Sequence, residues 1–318
     1  MRLLNVDTFT FTDYAGSTPP PYAIASHRWT GGREAEAMWE DVEGRKNTEK
    51  PGYRKLQGFV AYTKASLPQV KWLWIDTCCI KQSSDRELSA AINSMFEWYC
   101  KAEVCLAYLE DVPLASHSTK TFADSVWFRR GWTLQELLAP SLVVFLSQDW
   151  NVIGYKGQDH ARSGLSLKTG PLLEEQVSAI TGIPRRILHN YQESEGLTAE
   201  DKLAWAEGRQ TLYGEDLSYC LLGIMGVSMN IRYGDGKEVT RERLMRKVAK
   251  RGRIATPSEF LVPFSLQGIP AIDYFVSRDA DMKQLADYFV SASSPTFQQR
   301  VFVVHGMGGM GKTQLCAK

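Results

Sequence analysis

Along the first 150 residues of the chain, unbroken apolar runs alternate with segments whose apolar positions recur at helical spacing. Tyr22–Ser26 is a short apolar run following the breakers Pro19, Pro20 and Pro21, which predicts a buried strand. Val70–Asp76, Val104–Leu109 and Ser141–Leu146 are likewise aromatic or β-branched and predict three more strands. Between them, Tyr53–Ser66 and Thr133–Leu138 are compatible with helix. Asp85–Lys101 carries Leu88, Ile92, Met95, Phe96 and Tyr99 on one stripe, with Ser84 or Asp85 available as N-cap. Nearly continuous apolar strands alternating with helices predict an α/β fold whose parallel sheet is covered by helices on both faces.

From about residue 151 the pattern turns mainly helical. Leu172–Thr181, Thr198–Gln210, the apolar stretch Leu217–Met225 and the basic stretch Glu238–Lys250 each predict a helix. The boundaries expected are 1–253 for a first domain, with its helical extension from about 151, 254–272 for a linker, and 273–318 for the start of a second domain.

Composition narrows the function classes. With 44% hydrophobic and 23% charged residues in 318, the chain has ample material for a core. A formal net charge of +1 gives no field favouring nucleic acid or an anionic membrane. The local exception, Arg241–Arg253, interleaves its basic residues with Leu244, Met245, Val248 and Ala249 and predicts a solvated helix face. No apolar run is long enough to span a bilayer, and Met1–Asp7 lacks the apolar core of a secretory leader. The six cysteines form no C-x-x-C pair, so reduced thiols and a cytoplasmic location are expected. His117, His160, His189 and His305 lie in separate segments, and no metal site is expected.

The chemistry concentrates in blocks at predicted strand ends, where open α/β sheets place their sites. The first is YAIASHRW at 22–29, containing Ser26, His27, Arg28 and Trp29; the second is WIDTCCIKQ at 74–82, with Asp76; the third is WFRRGWTLQE at 127–136, with Arg130, Trp132 and Glu136. A fourth runs from Trp205 through Arg209 and Glu215–Ile224 to Tyr233–Gly236, in which Arg209 with Glu215 or Asp216 suggests an ion pair. Asp76 is placed to orient Arg28 or Arg130, or to cap a turn, and Asp85 to cap a helix with Glu87 exposed in its first turn. Cys78 and Cys79 with His27 fit either a thiol nucleophile and base or inert buried thiols. Near the end, Gly306, Gly311, Lys312 and Thr313 fit G-x-x-x-x-G-K-[ST] after a β-branched run, a phosphate-binding loop. The sequence stops at Lys318 before any Walker-B aspartate, so the front end of a larger nucleotide-switched protein is expected.

Together, these four blocks resemble the fungal heterokaryon-incompatibility (HET) domain over about residues 1–253. The tail is similar to the start of an NB-ARC or NACHT-type NTPase. The resemblance implies the N-terminal effector of a receptor that clusters on sensing and triggers cell death, with ATP or GTP and Mg²⁺ bound only by the full-length protein. It also implies self-association through effector and NTPase modules and a downstream death-signalling partner. HET effectors are in turn similar to Toll/interleukin-1 receptor (TIR) domains, some of which cleave NAD⁺. Plant-type TIR domains carry W-C-L-x-E-L with a catalytic glutamate, and Trp132–Leu137 (WTLQEL) puts Glu136 at the matching position. The likeness implies Glu136 as the catalytic carboxylate, with Ser26, His27, Arg28, Trp29, Asp76, Arg130 and Trp132 around the substrate. Trp29 or Trp132 would stack on a flat ring, and Arg28 or Arg130 would pair with pyrophosphate. The alternative is a non-enzymatic module whose clustered surface recruits partners.

Overall fold

The computed structural model describes residues 1–29, 31–113, 121–158, 167, 169–252 and 283. The phosphate-loop residues Gly306, Gly311, Lys312 and Thr313 and the linker lie outside these residues. Chain contacts divide after Arg253, and the fold below is that of the first unit.

The apolar runs become a seven-stranded sheet of β1 (Arg2–Asn5), β2 (Phe11–Asp13), β3 (Tyr22–His27), β4 (Trp72–Trp74), β5 (Val104–Tyr108), β6 (Leu142–Leu146) and β7 (Val152–Gly157). Its order is β2-β1-β4-β3-β5-β6-β7. The central four, β4-β3-β5-β6, are parallel. Every residue of β3 and β6 is buried, as strands covered on both faces require. The helices are α1 (Trp39–Glu43), α2 (Pro51–Ser66), α3 (Asp85–Lys101), α4 (Thr133–Leu138), α5 (Glu174–Thr181), α6 (Arg185–His189), α7 (Ala199–Ala204), α8 (Asp216–Tyr219), α9 (Leu222–Met225) and α10 (Lys237–Gly252).

The chain runs from β3 outward to β4, then crosses back over β3 to β5 and on to β6. Connections leaving β3 and β5 thus diverge, opening a crevice at their carboxyl ends. Ser84 caps α3, its hydroxyl accepting from the Glu87 backbone N–H.

Several expectations need correction. The sheet is not parallel throughout: an antiparallel hairpin, β1-β2, pairs with β4 on one edge and antiparallel β7 closes the other. β7 begins at Val152, where a helical region was expected; its Lys156 is fully buried and satisfied by donating to the Pro140 carbonyl at 2.7 Å. The helix expected over 198–210 ends at Ala204. The helix expected over 217–225 is two short ones, α8 and α9, because the backbone leaves regular helical pairing around Cys220 and Leu221. Glu87 is not exposed; it makes a two-pronged pair with Arg2 at 2.8 and 3.2 Å and accepts from the Lys81 N–H, tying the hairpin to α3.

α9 reaches α3 through a glycine. A Cβ at Gly223 would fall 2.0 Å from Phe96 Cβ, an atom too close to the backbone to yield. Gly223→Ala is therefore expected to destabilise the domain by about 1–3 kcal/mol despite better helix propensity, lowering its thermal midpoint by several degrees. An unchanged or raised midpoint in a calorimetric scan would show that the contact relaxes freely.

Candidate functional site

Ser26 and His27 end β3, Arg28 and Trp29 follow it, Asp76 follows β4, and Arg130 and Trp132 lead into α4, which carries Glu136. The crossover topology gathers all eight at the carboxyl ends of the parallel strands. Five of them, Ser26, Glu136, His27, Trp29 and Asp76, join two side-chain hydrogen-bonded groups.

One is a buried chain of donors. Trp127 Nε1 donates to Ser26 Oγ at 2.9 Å, and the Ser26 hydroxyl donates to Glu136. Tyr99, from α3, lies within hydrogen-bond reach of the same carboxyl and donates its proton to the Ala25 carbonyl at 2.9 Å. Trp127 and Glu136 are buried, and Ser26 is wholly so. Burial, reinforced by the negative charge of Asp76, pushes the Glu136 carboxyl up to about 8, against the lowering effect of Ser26, Arg130 and Tyr99. At neutral pH this carboxyl is mostly a neutral acid.

The other centres on Asp76. Its Oδ1 meets His27 Nε2 at 3.1 Å and its Oδ2 accepts from Trp29 Nε1 at 2.8 Å, while Gln82 donates to its backbone carbonyl at 3.2 Å. Burial would raise the Asp76 carboxyl, but the hydrogen bonds from His27 and Trp29 and the charge of Arg130 hold it below the usual carboxylate value. The two carboxyls are thus split, one ionised and one protonated, by unequal access to donors.

Asp76 lies in the wall of a cleft of about 330 Å³ that also includes Trp29, Arg130, Trp132 and Tyr233, floored by Leu88, Ile92 and Met95 of α3. A second cleft of about 430 Å³ shares Trp29, Arg130 and Leu212 with the first and adds Arg28, Arg129 and the turn Gly31-Gly32. Glu136, Ser26 and His27 line neither; they stand behind the wall.

The turn carrying Arg130 and Trp132 is clamped from below. Arg209, buried, donates from Nε to the Trp205 carbonyl at 3.0 Å and from one terminal nitrogen to the Arg130 carbonyl at 2.9 Å. Gly131 N–H and Gln210 N–H complete the clamp with Gln210 and Arg129 carbonyls at 2.8 and 2.7 Å. Arg209 therefore does not pair with Glu215 or Asp216. Glu215 accepts instead from the Gly234 and Gly236 N–H groups, and Asp216 from the Tyr233 hydroxyl. Asp76 orients neither Arg28 nor Arg130 by hydrogen bond; its oxygens serve His27 and Trp29. Cys78 and Cys79 are core thiols: burial first, then Cys79 and Asp76, push the Cys78 thiol well up, and the nitrogens of His27 face Asp76 and the Arg28 carbonyl. Among the described residues no cluster of His, Cys, Asp and Glu could hold a metal ion, and no helix is long and apolar enough to cross a membrane.

Arg129, Tyr233 and the exposed pair Leu212 and Tyr213 complete the clefts and were not among the expected site residues. The doublet Arg129-Arg130 between Trp127 and Trp132 is the sequence signal from which the first of them could have been found.

Residues 22–113, which hold the first two blocks, match the family model described as heterokaryon incompatibility protein (HET). The chain is 34% identical over 304 residues to the vegetative incompatibility protein HET-E-1 of Podospora anserina, an alignment covering 93% of this chain and 21% of that protein. The chain thus spans about a fifth of that relative's length. No solved structure matches it.

The raised Glu136 value sets a pH dependence. The folded state holds a proton between the ordinary value of 4.5 and about 8 that the unfolded chain has released, so stability falls as pH rises through that window. Glu136→Gln keeps an oxygen for Ser26 and stays neutral. The variant is expected to match the wild type near pH 4.5 and exceed it by on the order of a few kcal/mol near pH 8. Parallel stability curves for the two proteins across this range would mean that Glu136 is ionised in the fold.

Proposed function

We propose that this chain, which carries a HET domain, is the cell-death effector portion of a vegetative-incompatibility protein and acts, when clustered, by cleaving NAD⁺. The observation that carries the reading is the divided carboxyl pair beside an aromatic cleft: ionised Asp76 in the wall, protonated Glu136 behind it. Counted from β3, the parallel strands run in the order second-first-third-fourth, which supports a TIR-like core with antiparallel β7 in the fifth place.

In this reading the nicotinamide ring stacks between Trp29 and Trp132. The ribosyl C–N bond breaks with its electron pair leaving on nicotinamide, and the Asp76 carboxylate faces the oxocarbenium charge left on the sugar. Water then attacks that carbon and gives up a proton, leaving ADP-ribose. Glu136, whose value lies near neutrality, stands behind the wall and bears on the site through its charge coupling to Asp76. The effector belongs to a cytoplasmic receptor whose NTPase module begins at 273–318, binds ATP or GTP with Mg²⁺ through Lys312 and Thr313, and self-associates to bring effectors together.

One observation favours a second, non-enzymatic reading. Glu136 does not line either cleft, and Leu212, Tyr213 and Tyr233 stand exposed on the rim, as in a surface that recruits a death-signalling partner.

The two readings separate in cells expressing the chain fused to an inducible oligomerisation tag, followed for NAD⁺ content and viability. The enzymatic reading expects NAD⁺ to collapse before death, and both events to be lost, by about 10²-fold or more in rate, in Asp76→Asn and Glu136→Gln. Death with NAD⁺ intact would establish the recruiting surface instead.

A further inference from the structure

We propose that Asp216, in the far wall of the first cleft, is the general base of this chemistry and takes the proton of the water that attacks the ribosyl carbon. This deepens the reading above and rests on it for the identity of the substrate.

Among the described residues, the carboxylates that line the first cleft are Asp76 and Asp216, and Glu136 lines neither cleft. Asp76 follows β4, whereas Asp216 opens α8, so the two reach the cleft from different layers of the fold. Their surroundings suit them to different work. Both oxygens of Asp76 are engaged, one by His27 and one by Trp29, and its carboxyl is held below the usual value, which makes a fixed charge and a weak base. Asp216 accepts from the Tyr233 hydroxyl at 2.8 Å through Oδ1. Burial raises its carboxyl, against the lowering effect of Tyr233, Trp132 and Arg130, so once ionised it is the more basic of the two. Arg130 lowers both carboxyls and thus favours the charged form of each. Cleavage of a glycosidic bond through an oxocarbenium ion uses two carboxyl groups in unlike roles, one facing the sugar and one serving the water.

The fourth sequence block is built to hold Asp216 in place. Adjacent Glu215 accepts from the Gly234 and Gly236 N–H groups at 2.8 and 3.0 Å, which closes the turn carrying Tyr233. Arg243 of α10 ties the same turn by pairing with Asp235 at 2.9 Å. The Tyr233 ring packs edge-on against Tyr219, 5.6 Å between centroids, so its hydroxyl has a fixed place from which to donate to Asp216. An aspartate that served only to begin α8 would accept from backbone N–H groups of the first turn. Asp216 instead meets a side chain 17 positions along the chain, at the cleft. The floor, Leu88, Ile92 and Met95, offers no group to receive a proton. As the ribosyl C–N bond breaks, its electron pair leaves on nicotinamide. A lone pair of the water oxygen then forms the new C–O bond, and the proton that this oxygen sheds passes to Asp216 and on to solvent.

The test uses the purified chain fused to an inducible oligomerisation tag, as wild type, Asp216→Asn and Asp216→Ala. Nicotinamide release from NAD⁺ is measured with and without sodium azide. Asp216→Asn keeps an acceptor for Tyr233, and a thermal scan of each variant checks its fold. Both variants are expected to lose about 10²-fold or more of the hydrolysis rate. Azide attacks with no proton to lose. It is expected to restore release in either variant by at least about tenfold, most in Asp216→Ala where it has room, with ADP-ribosyl azide as the product by mass spectrometry. Hydrolysis by Asp216→Asn at the wild-type rate would overturn the role of Asp216 and leave the NAD⁺ reading intact. So would a loss that azide relieves in neither variant, which would make Asp216 a structural residue. A clustered wild type that releases no nicotinamide would sink the NAD⁺ reading, and the base with it.

Discussion

A carboxyl group held in a place that cannot afford its charge organises this domain. Glu136 is buried beneath the crevice of a doubly wound sheet, where ionisation is disfavoured by lost hydration and by Asp76 nearby. It is retained because its neighbours come from three different elements: Ser26 from the central strand, Tyr99 from α3, and Trp127, through Ser26, from the turn before α4. A buried polar group held by neighbours from several elements favours one arrangement of those elements where an apolar residue would permit several. The cleft depends on that arrangement, since Trp29 follows the central strand, Arg130 stands in the turn before α4, and Asp76 lies on the segment that leads from β4 to α3.

The second constraint is the clamp on the turn between Trp127 and α4. Arg209 is itself a buried cation without a carboxylate, its guanidinium value lowered to about 10 chiefly by desolvation. It satisfies itself on carbonyl oxygens of Trp205 and Arg130 and on the Thr133 hydroxyl, which itself donates to the Arg130 carbonyl. The mainly helical layer is thus part of the site's construction. It supplies the clamp, and through Asp216 and Tyr233 it supplies the far wall of the first cleft.

How much of this was legible in the sequence follows from how local each determinant is. The four parallel strands and α3 are written in runs that have one good solution: buried β-branched stretches, and a stripe with Ser84 as cap. The edges are not. β1 and β2 are four and three residues long and half exposed, and β7 mixes Gly154 and Gly157 with a buried lysine, so neither carries a strand's usual pattern. Leu217–Met225 is apolar at nearly every position, which indicates burial without indicating where the backbone breaks. Side-chain pairing was legible in composition and not in partner. Arg209 and Asp76 are each partnered, yet neither with the group that charge suggested, and Glu87, expected to be exposed, is paired with Arg2.

The motif WTLQEL shows the same limit in its most consequential form. It drew attention to Glu136, and the residue is indeed perturbed, but the structure places it behind the wall and puts Asp76 in front. The two carboxyls remain coupled: the charge of Asp76 raises Glu136, and that of Arg130 lowers it. An anionic phosphate against Arg130 would offset the lowering influence and keep Glu136 protonated, while a cationic ring against Asp76 would offset the raising one and favour proton release. A ligand carrying both charges at the right separation would therefore act on Glu136 from two sides without touching it. Within the proposed reading, the proton on Glu136 is the quantity through which occupancy of the clefts reaches the core that holds them in place.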